Sequence, residues 1–283
     1  MRASKQERLI AVKDRPVLYS ILIILALFAL WTLWGNVTIA VTELEIQSPE
    51  LDAAFDGFTV VQVSDLHNAE FGAGNMRLLA KIQAAKPDMI AVTGDLVDSE
   101  NTDIVLALDF LEKALDIAPC YYVSGNHEAW LQEAYAELET KMLTLGVNVL
   151  HGESVTLERG QGALTLTGVD DPRFAEQGVD VSIPPAGDGF QLLLAHRPDG
   201  FEDYVQAAYD LVLAGHMHGG QFRIPFVGGL IGTDTELFPQ YDAGVFQEGN
   251  TTMIVSRGLG NSVIPIRINN RPELVVVTLN SEH

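Results

Sequence analysis

The sequence predicts an α/β fold, a β-sheet covered by helices, carried on one N-terminal helix long enough to cross a membrane. Three observations lead there. Apolar runs of strand length alternate with segments whose apolar residues recur at helical spacing, the pattern of a sheet with helices packed on it. Residues 17–34 carry no charge at all. The 283 residues are 47% hydrophobic and 19% charged, ample material for a core and too apolar for a disordered chain.

The first element is the charge-free run Val17 to Trp34, interrupted only by Tyr19, Ser20 and Thr32. Roughly 20 apolar residues span a bilayer, and Tyr19 at one end with Trp31 and Trp34 at the other suits the interfacial aromatic belts. Residues 1–15 hold five basic residues against two acidic ones, so the positive-inside rule places the N-terminus in the cytoplasm. A cleaved signal peptide is the competing reading, but its apolar region is only ~7–15 residues and ends in small residues. Here Trp31-Thr32-Leu33-Trp34-Gly35 offers no such site. The expected organisation is a basic cytoplasmic segment 1–16, a signal anchor 17–35 in a single-pass membrane protein, and a folded domain 43–283 on the extracytoplasmic side.

The domain then alternates. Phe58–Ser64 reads as a buried strand, followed by a helix from about Asn75 that stops before Pro87. Met89–Thr93 is a second strand; Ile104, Leu108, Leu111 and Leu115 give the next helix one apolar face. Cys120–Ser124 is a third strand, with the lone cysteine in the core and no disulfide possible. Leu131, Tyr135, Leu138, Met142 and Leu145 mark a further helix that Gly146 caps. Strands at Ala163–Thr167, Phe190–Ala195 and Leu211–Ala214 follow, with a helix near Phe201–Ala208. Beyond Gly215 the chain is Gly-rich and mostly β, ending in Glu273–Leu279.

Polar residues collect just past these strands. Asp65 and His67 follow the first, Asp95 the second, Asn126 and His127 the third; His196 ends a later strand, and His216 and His218 the next. Open α/β sheets bind ligands at the carboxyl ends of their strands. Carboxylates and imidazoles without thiolate suit Mn, Fe or Zn, and a carboxylate with two free oxygens can bridge a pair of such ions. The glycines beside them (Gly94, Gly125, Gly215) let the backbone turn and approach closely. After Arg15 there are 12 basic and 36 acidic residues, a net of −24, which argues against a nucleic-acid partner.

The ordered set Asp65-x-His67, Gly94-Asp95, Gly125-Asn126-His127-Glu128, His196 and Gly215-His216-Met217-His218 resembles the calcineurin-like metallophosphoesterase superfamily. Gly168-Val169-Asp170-Asp171-Pro172, Gly219–Pro225, Ser256–Gly260 and Arg271-Pro272-Glu273 are similar to its membrane-anchored bacterial phosphodiesterase subfamily, which often has Thr where Met217 stands. The resemblance implies a sandwich of two mixed β-sheets flanked by helices. It also implies two divalent cations: Asp65, His67 and His218 at one, Asn126, His196 and His216 at the other, and Asp95 bridging. A metal-bridging hydroxide would attack phosphorus, and His127 would protonate the leaving alkoxide without binding metal. The implied substrate is a phosphodiester or lipid-linked phosphate of lipid or envelope origin. A UDP-2,3-diacylglucosamine pyrophosphatase-type activity and a non-catalytic metal-binding role are the alternatives.

Secondary candidates stay open. Arg197, Arg223 and Arg257 could face the substrate phosphate or form salt bridges. Asp170 and Asp171 could orient a ligand or make a turn. Phe222, Phe226, Val227, Leu230, Ile231 and Phe238 could form an acyl-binding or membrane-docking lip, although burial in the second sheet is the expectation. His151 is expected to be structural.

Overall fold

The computed structural model describes residues 15–233, 235–261 and 265–282, so nearly all of the basic segment 1–16 lies outside the described residues. Helix α1, Arg15–Val37, is followed after two residues by strand β1, Ala40–Ser48. No linker separates them, and β1 begins ahead of the expected domain start at 43.

Two six-stranded mixed sheets face each other. The first contains β2 (Phe58–Val63), β3 (Met89–Thr93), β4 (Cys120–Val123), β5 (Asn148–Val149) and β14 (Glu273–Ser281), in the order β1-β14-β2-β3-β4-β5. The second contains β6 (Ser154–Arg159), β7 (Gly162–Gly168), β8 (Gln191–Leu194), β9 (Leu211–Ala214), β12 (Gly244–Glu248) and β13 (Thr251–Val255), in the order β12-β13-β9-β8-β7-β6. Strands β2, β3 and β4 run parallel, as do β8 and β9, so their carboxyl ends share one edge of each sheet.

The layers follow from which residues alternate inward. Val60, Met89, Ala91 and Val277 from the first sheet meet Leu166, Leu192, Leu194 and Leu213 from the second in a continuous apolar seam. On the outer face of the first sheet, Val61, Val63, Ile90, Val92 and Cys120 pack against α2 (Met76–Ala85), α3 (Ile104–Leu115) and α5 (Glu133–Leu145). The outer face of the second carries the short α6 (Phe201–Gln206) with Tyr204, Tyr209 and Phe246. The predicted helix around Leu131 is two helices, α4 (Asn126–Leu131) and α5, because Gln132 between them takes φ 51° and breaks the hydrogen-bond ladder. Gly146 caps α5 at φ 96°, donating to the Leu143 and Met142 carbonyls.

One expectation fails. The apolar run after Phe222 is not buried in the second sheet. It forms a separate hairpin, β10 (Arg223–Ile224) with β11 (Gly228–Gly229), and leaves Phe226, Val227 and Phe238 exposed. The six-residue span from Arg223 to Gly228, with Pro225 and a closing glycine, makes a tight turn that leaves Phe226 and Val227 exposed.

Candidate metal centre

The carboxyl ends of β2, β3, β4, β8 and β9 converge, and the loops there deliver the predicted side chains. Close approach needs glycine: a Cβ on Gly125 would collide with the Asp95 backbone nitrogen and carboxylate, and one on Gly215 with Ser64 and Asp65. Asp65, His67, Asp95, His216 and His218 all hold positive φ, between 45° and 69°. Such backbone is rare for non-glycine residues and costs on the order of 1–3 kcal/mol each. Hydrogen bonds across loops hold it: Asp65 N donates to Gly94 O at 3.1 Å and His67 N to Asp95 O at 3.0 Å. His216 N donates to both Asp65 oxygens at 3.0 and 3.1 Å.

Ligand atoms of Asp65, His67, Asp95 and His218 lie within 4.8 Å of one another, and so do those of Asp95, His196 and His216. Asp95 belongs to both groups. His67 Nε2 stands 3.0 Å from His218 Nε2 and 3.5 Å from Asp95 Oδ2. On the other side His196 Nε2 is 3.1 Å from Asn126 Oδ1, 3.2 Å from Asp95 Oδ2 and 3.2 Å from His216 Nδ1. All seven side chains are buried.

The donor chemistry asks for a cation. Thr93 O, which can only accept, sits 2.8 Å from His196 Nδ1, so that nitrogen carries the proton and the Nε2 lone pair faces the Asn126 and Asp95 oxygens. Burial lowers the His196 pKa, but the Asp95 carboxylate outweighs it and lifts the ring to about 10: a proton serves where a metal would. Burial pushes Asp95 up, and His196 and then His67 overcome it and hold it well below the usual carboxylate range. Burial drives His67 down to about 4, and His216 and His218 well below the ordinary histidine value, so their lone pairs are open to a cation. Asp65 rises to about 6 through burial, against the pull of His196. Among the described residues His67 Nδ1 has no hydrogen-bond partner.

His127 lies beside this cluster. Its backbone N–H donates to Asp95 Oδ1 at 2.8 Å. Its Nδ1 accepts from Ser99 N at 3.0 Å, which leaves Nε2 as the proton-bearing nitrogen of the neutral ring. A cleft of about 550 Å³ opens over the cluster, lined among others by His127, Trp130, Arg173, Arg197 and Thr233. Of the three arginines expected at the substrate, Arg197 alone lines it; Asp171 Oδ2 accepts from its Nε at 2.7 Å, and its Nη1 lies 3.1 Å from His216 Nε2. Arg223 is instead paired with Asp242 at 2.9 Å and Arg257 with Glu273 at 2.6 Å, away from the cleft. Asp170 accepts from Ser124 Oγ at 2.5 Å and pairs with His151 at 2.9 Å.

Two buried residues without a sequence-assigned role brace the site. The Glu128 carboxylate accepts from the backbone N–H groups of Asp95, Leu96, Val97 and Gly125, tying the loop after β3 to the start of α4. Arg267, 1% exposed, reaches His218 Nδ1 at 3.1 Å and also donates to Asn261 Oδ1 and to the Arg257 and Gly260 carbonyls. Glu128 stood inside a quoted motif, and Arg267 was visible as one charge between Ile266 and Ile268.

Comparison with known proteins adds the context. The calcineurin-like phosphoesterase profile matches residues 58–220. The chain is 31% identical over 252 residues to the uncharacterized metallophosphoesterase YkuE of Bacillus subtilis, covering 86% of each. It is 30% identical over 230 residues to phosphodiesterase YaeI of Escherichia coli, covering 78% of this chain and 82% of that one. Against the transmembrane protein with metallophosphoesterase domain of Danio rerio it is 27% identical over 256 residues, covering 84% of this chain but only 57% of the relative.

Proposed function

The chain belongs to the calcineurin-like phosphoesterases and is a metal-dependent phosphoesterase, and from that premise we propose that it hydrolyses phosphodiesters of lipid or envelope origin while tethered to a membrane by α1. The observation that carries the reading is the meeting of two sets of buried acceptors on the shared Asp95 carboxylate. Asp65, His67 and His218 would hold one divalent cation and Asn126, His196 and His216 the other, with Asp95 in reach of both. When bound, such a pair, Mn, Fe or Zn, would supply the positive charge for phosphoryl oxygens and for lowering the pKa of water.

The protein's own groups do the rest. His127 lines the cleft beside the cluster and would supply a proton to the leaving alkoxide. Ser99 Oγ lies 3.1 Å from His127 Nδ1, and the Asp98 carboxylate stands 3.9 Å from the same nitrogen. Arg197, held by Asp171 through its Nε, stands at the cleft wall as a positive charge toward a phosphate oxygen. The relative named a phosphodiesterase supports the diester over the monoester.

Pro16–Val37 is long and apolar enough to cross a membrane. With the basic residues ahead of it, this supports a single-pass anchor and an extracytoplasmic catalytic domain. A C-terminal reporter fusion active only outside the cytoplasm is the expected result. For the chemistry, the full chain in detergent is stripped of metal, refilled with Mn²⁺ and given a chromogenic phosphodiester, with Asp95→Asn as control. Metal-dependent turnover that the control lacks is expected; a metal-loaded wild type with no turnover on any diester would sink the proposal.

A further inference from the structure

Past His218 the cleft acquires a bare apolar rim. At the β10–β11 turn Phe226 is fully exposed and Val227 is 61% exposed; Leu237 and Phe238 follow at 66% and 55%. Backbone bonds make these one surface: Leu230 N donates to Phe222 O at 2.8 Å, Phe238 N to Leu230 O at 3.0 Å, and Ile231 bridges Leu237. The same stretch supplies Ile231, Gly232, Thr233 and Thr235 to the cleft wall. Contiguous exposed apolar surface of this kind marks a partner or a membrane.

The seating of the anchor decides between them. Asn36 Nδ2 donates to Arg267 O and Asn36 Oδ1 accepts from Arg267 N, each at 2.8 Å. The Arg271 guanidinium lies 4.8 Å from the Trp34 ring centroid and donates to Thr38 Oγ1 at 3.1 Å. Thr32, one turn and a half inside the helix end, is only 7% exposed while its neighbours along α1 are bare. At 1.5 Å per residue Thr32 lies roughly 7 Å below Val37. That matches the headgroup layer on one side, half the difference between a ~30 Å hydrocarbon core and a 40–45 Å bilayer. With the outer end of α1 in that layer, the stretch Arg267–Arg271 would sit at headgroup depth. A cavity of about 250 Å³ between helix and domain is lined there by Trp31, Trp34, Arg257, Arg267 and Arg271, cations and indoles gathered in a chain of net charge −21.

The apolar rim hangs from that stretch. Arg223 N donates to Ile268 O at 3.0 Å, Asn269 Nδ2 to Arg223 O at 3.1 Å, and Gln221 Nε2 to Ile266 O at 2.7 Å. Phe226 follows Arg223 by three residues, at most about 10 Å of extended chain. We propose that the rim around Phe226, Val227, Leu237 and Phe238 is seated in the interfacial layer of the bilayer that α1 enters, so that the cleft opens along the membrane surface onto lipids of that leaflet. The proposal rests on the membrane-tethered phosphoesterase reading and adds the setting in which the substrate is met.

The test uses the full chain in phosphatidylcholine–phosphatidylglycerol vesicles, with Phe226→Cys and, separately, Phe238→Cys carrying an environment-sensitive fluorophore. Val105→Cys, at an α3 position 76% exposed, is the aqueous reference, and the native Cys120 is fully buried and escapes labelling. Labels at 226 and 238 are expected to shift to the blue and to be quenched by lipids spin-labelled near the headgroup, with the label at 105 unaffected. Labels at 226 and 238 as wet and as unquenched as that at 105 would overturn the proposal and leave the rim to a protein partner. Neither readout needs turnover, so a silent esterase assay and a failed docking are told apart.

Discussion

Glu128 is the residue whose replacement tests how the centre is built. Its side chain is fully buried, and its two oxygens accept four backbone N–H groups: Leu96 at 2.8 Å and Val97 at 3.3 Å on Oε1, Asp95 at 2.9 Å and Gly125 at 2.7 Å on Oε2. Burial and then Asp95 raise its pKa to about 7, while the Gly125 and Val97 N–H groups pull it down. In Glu128→Gln one oxygen becomes an NH2, and two of the four N–H groups then face a donor. The less costly orientation gives up Leu96 and Val97. A hydrogen bond to a charged acceptor contributes about 1.5–3 kcal/mol, and the Val97 bond is long, so the loss is about 3 kcal/mol. Glu128→Ala orphans all four and should cost about 5 kcal/mol. At about 2–4 °C per kcal/mol for a domain of this size, the Gln variant should melt roughly 6–12 °C below wild type. The assay is thermal unfolding of the full chain in detergent with chelator present, which removes any contribution from metal uptake. A Gln variant within about 1 kcal/mol of wild type would refute the idea that this carboxylate ties the two loops together.

Three other outcomes are expected. His127→Ala should keep its metal, measured by elemental analysis, and lose about 10²–10⁴-fold in kcat on the chromogenic diester; full activity would remove its role as proton donor. Arg267→Met should weaken metal affinity by roughly 10–100-fold in a Mn²⁺ titration, because the guanidinium that fixes His218 is gone. His151 is raised to about 9, chiefly by its hydrogen bond to Asp170, then by the charges of Asp170 and Glu139 against burial. Its folded pKa exceeds the unfolded value of 6.5, so its stabilisation is complete below pH 6.5 and lost as pH rises through about 9. The Tm of wild type should therefore fall more steeply between pH 7 and 10 than that of His151→Gln, and parallel curves would contradict the pairing.

What the sequence made legible has a physical boundary. Central strands such as β3 and β9 are buried on both faces and read as unbroken apolar runs, so they and the polar residues at their ends stand out. Edge strands do not. β1 and β6 turn one face to solvent and alternate residue by residue, so no continuous apolar run marks them in the sequence. The rim after Phe222 has the composition of a buried segment; only the hairpin geometry reveals that Phe226, Val227, Leu237 and Phe238 stand exposed. Spacing along the chain leaves Arg223 and Arg257 open between a phosphate and a salt bridge because it says nothing of Asp242 and Glu273, which pair with them. Contacts between residues far apart in sequence are the part that no local pattern encodes.

The five left-handed residues of the centre explain why the surrounding mesh is so dense. Asp65 and His67 flank Leu66, and His216 and His218 flank Met217, each pair with positive φ about a buried apolar residue. Alternating this way brings both polar side chains of each pair toward the cluster while Leu66 packs into the core and Met217 lines the cleft beside Thr233, at a cost of on the order of 1–3 kcal/mol per strained residue. That strain persists only where the backbone is tied down on both sides. Gly94 and Asp95 carbonyls hold the first pair, the Asp65 carboxylate holds His216, and Asn270 Nδ2 holds the His218 carbonyl at 2.7 Å. Asn270 and Arg267 belong to the stretch that holds α1, so the bonds that fix His218 and those that fix the helix share one short segment. Loosening the joint with α1 by Asn36→Ala should therefore weaken Mn²⁺ binding as well as free the helix, although Asn36 touches no candidate ligand. Unchanged metal affinity in that variant would show that the two ends of the segment are mechanically independent.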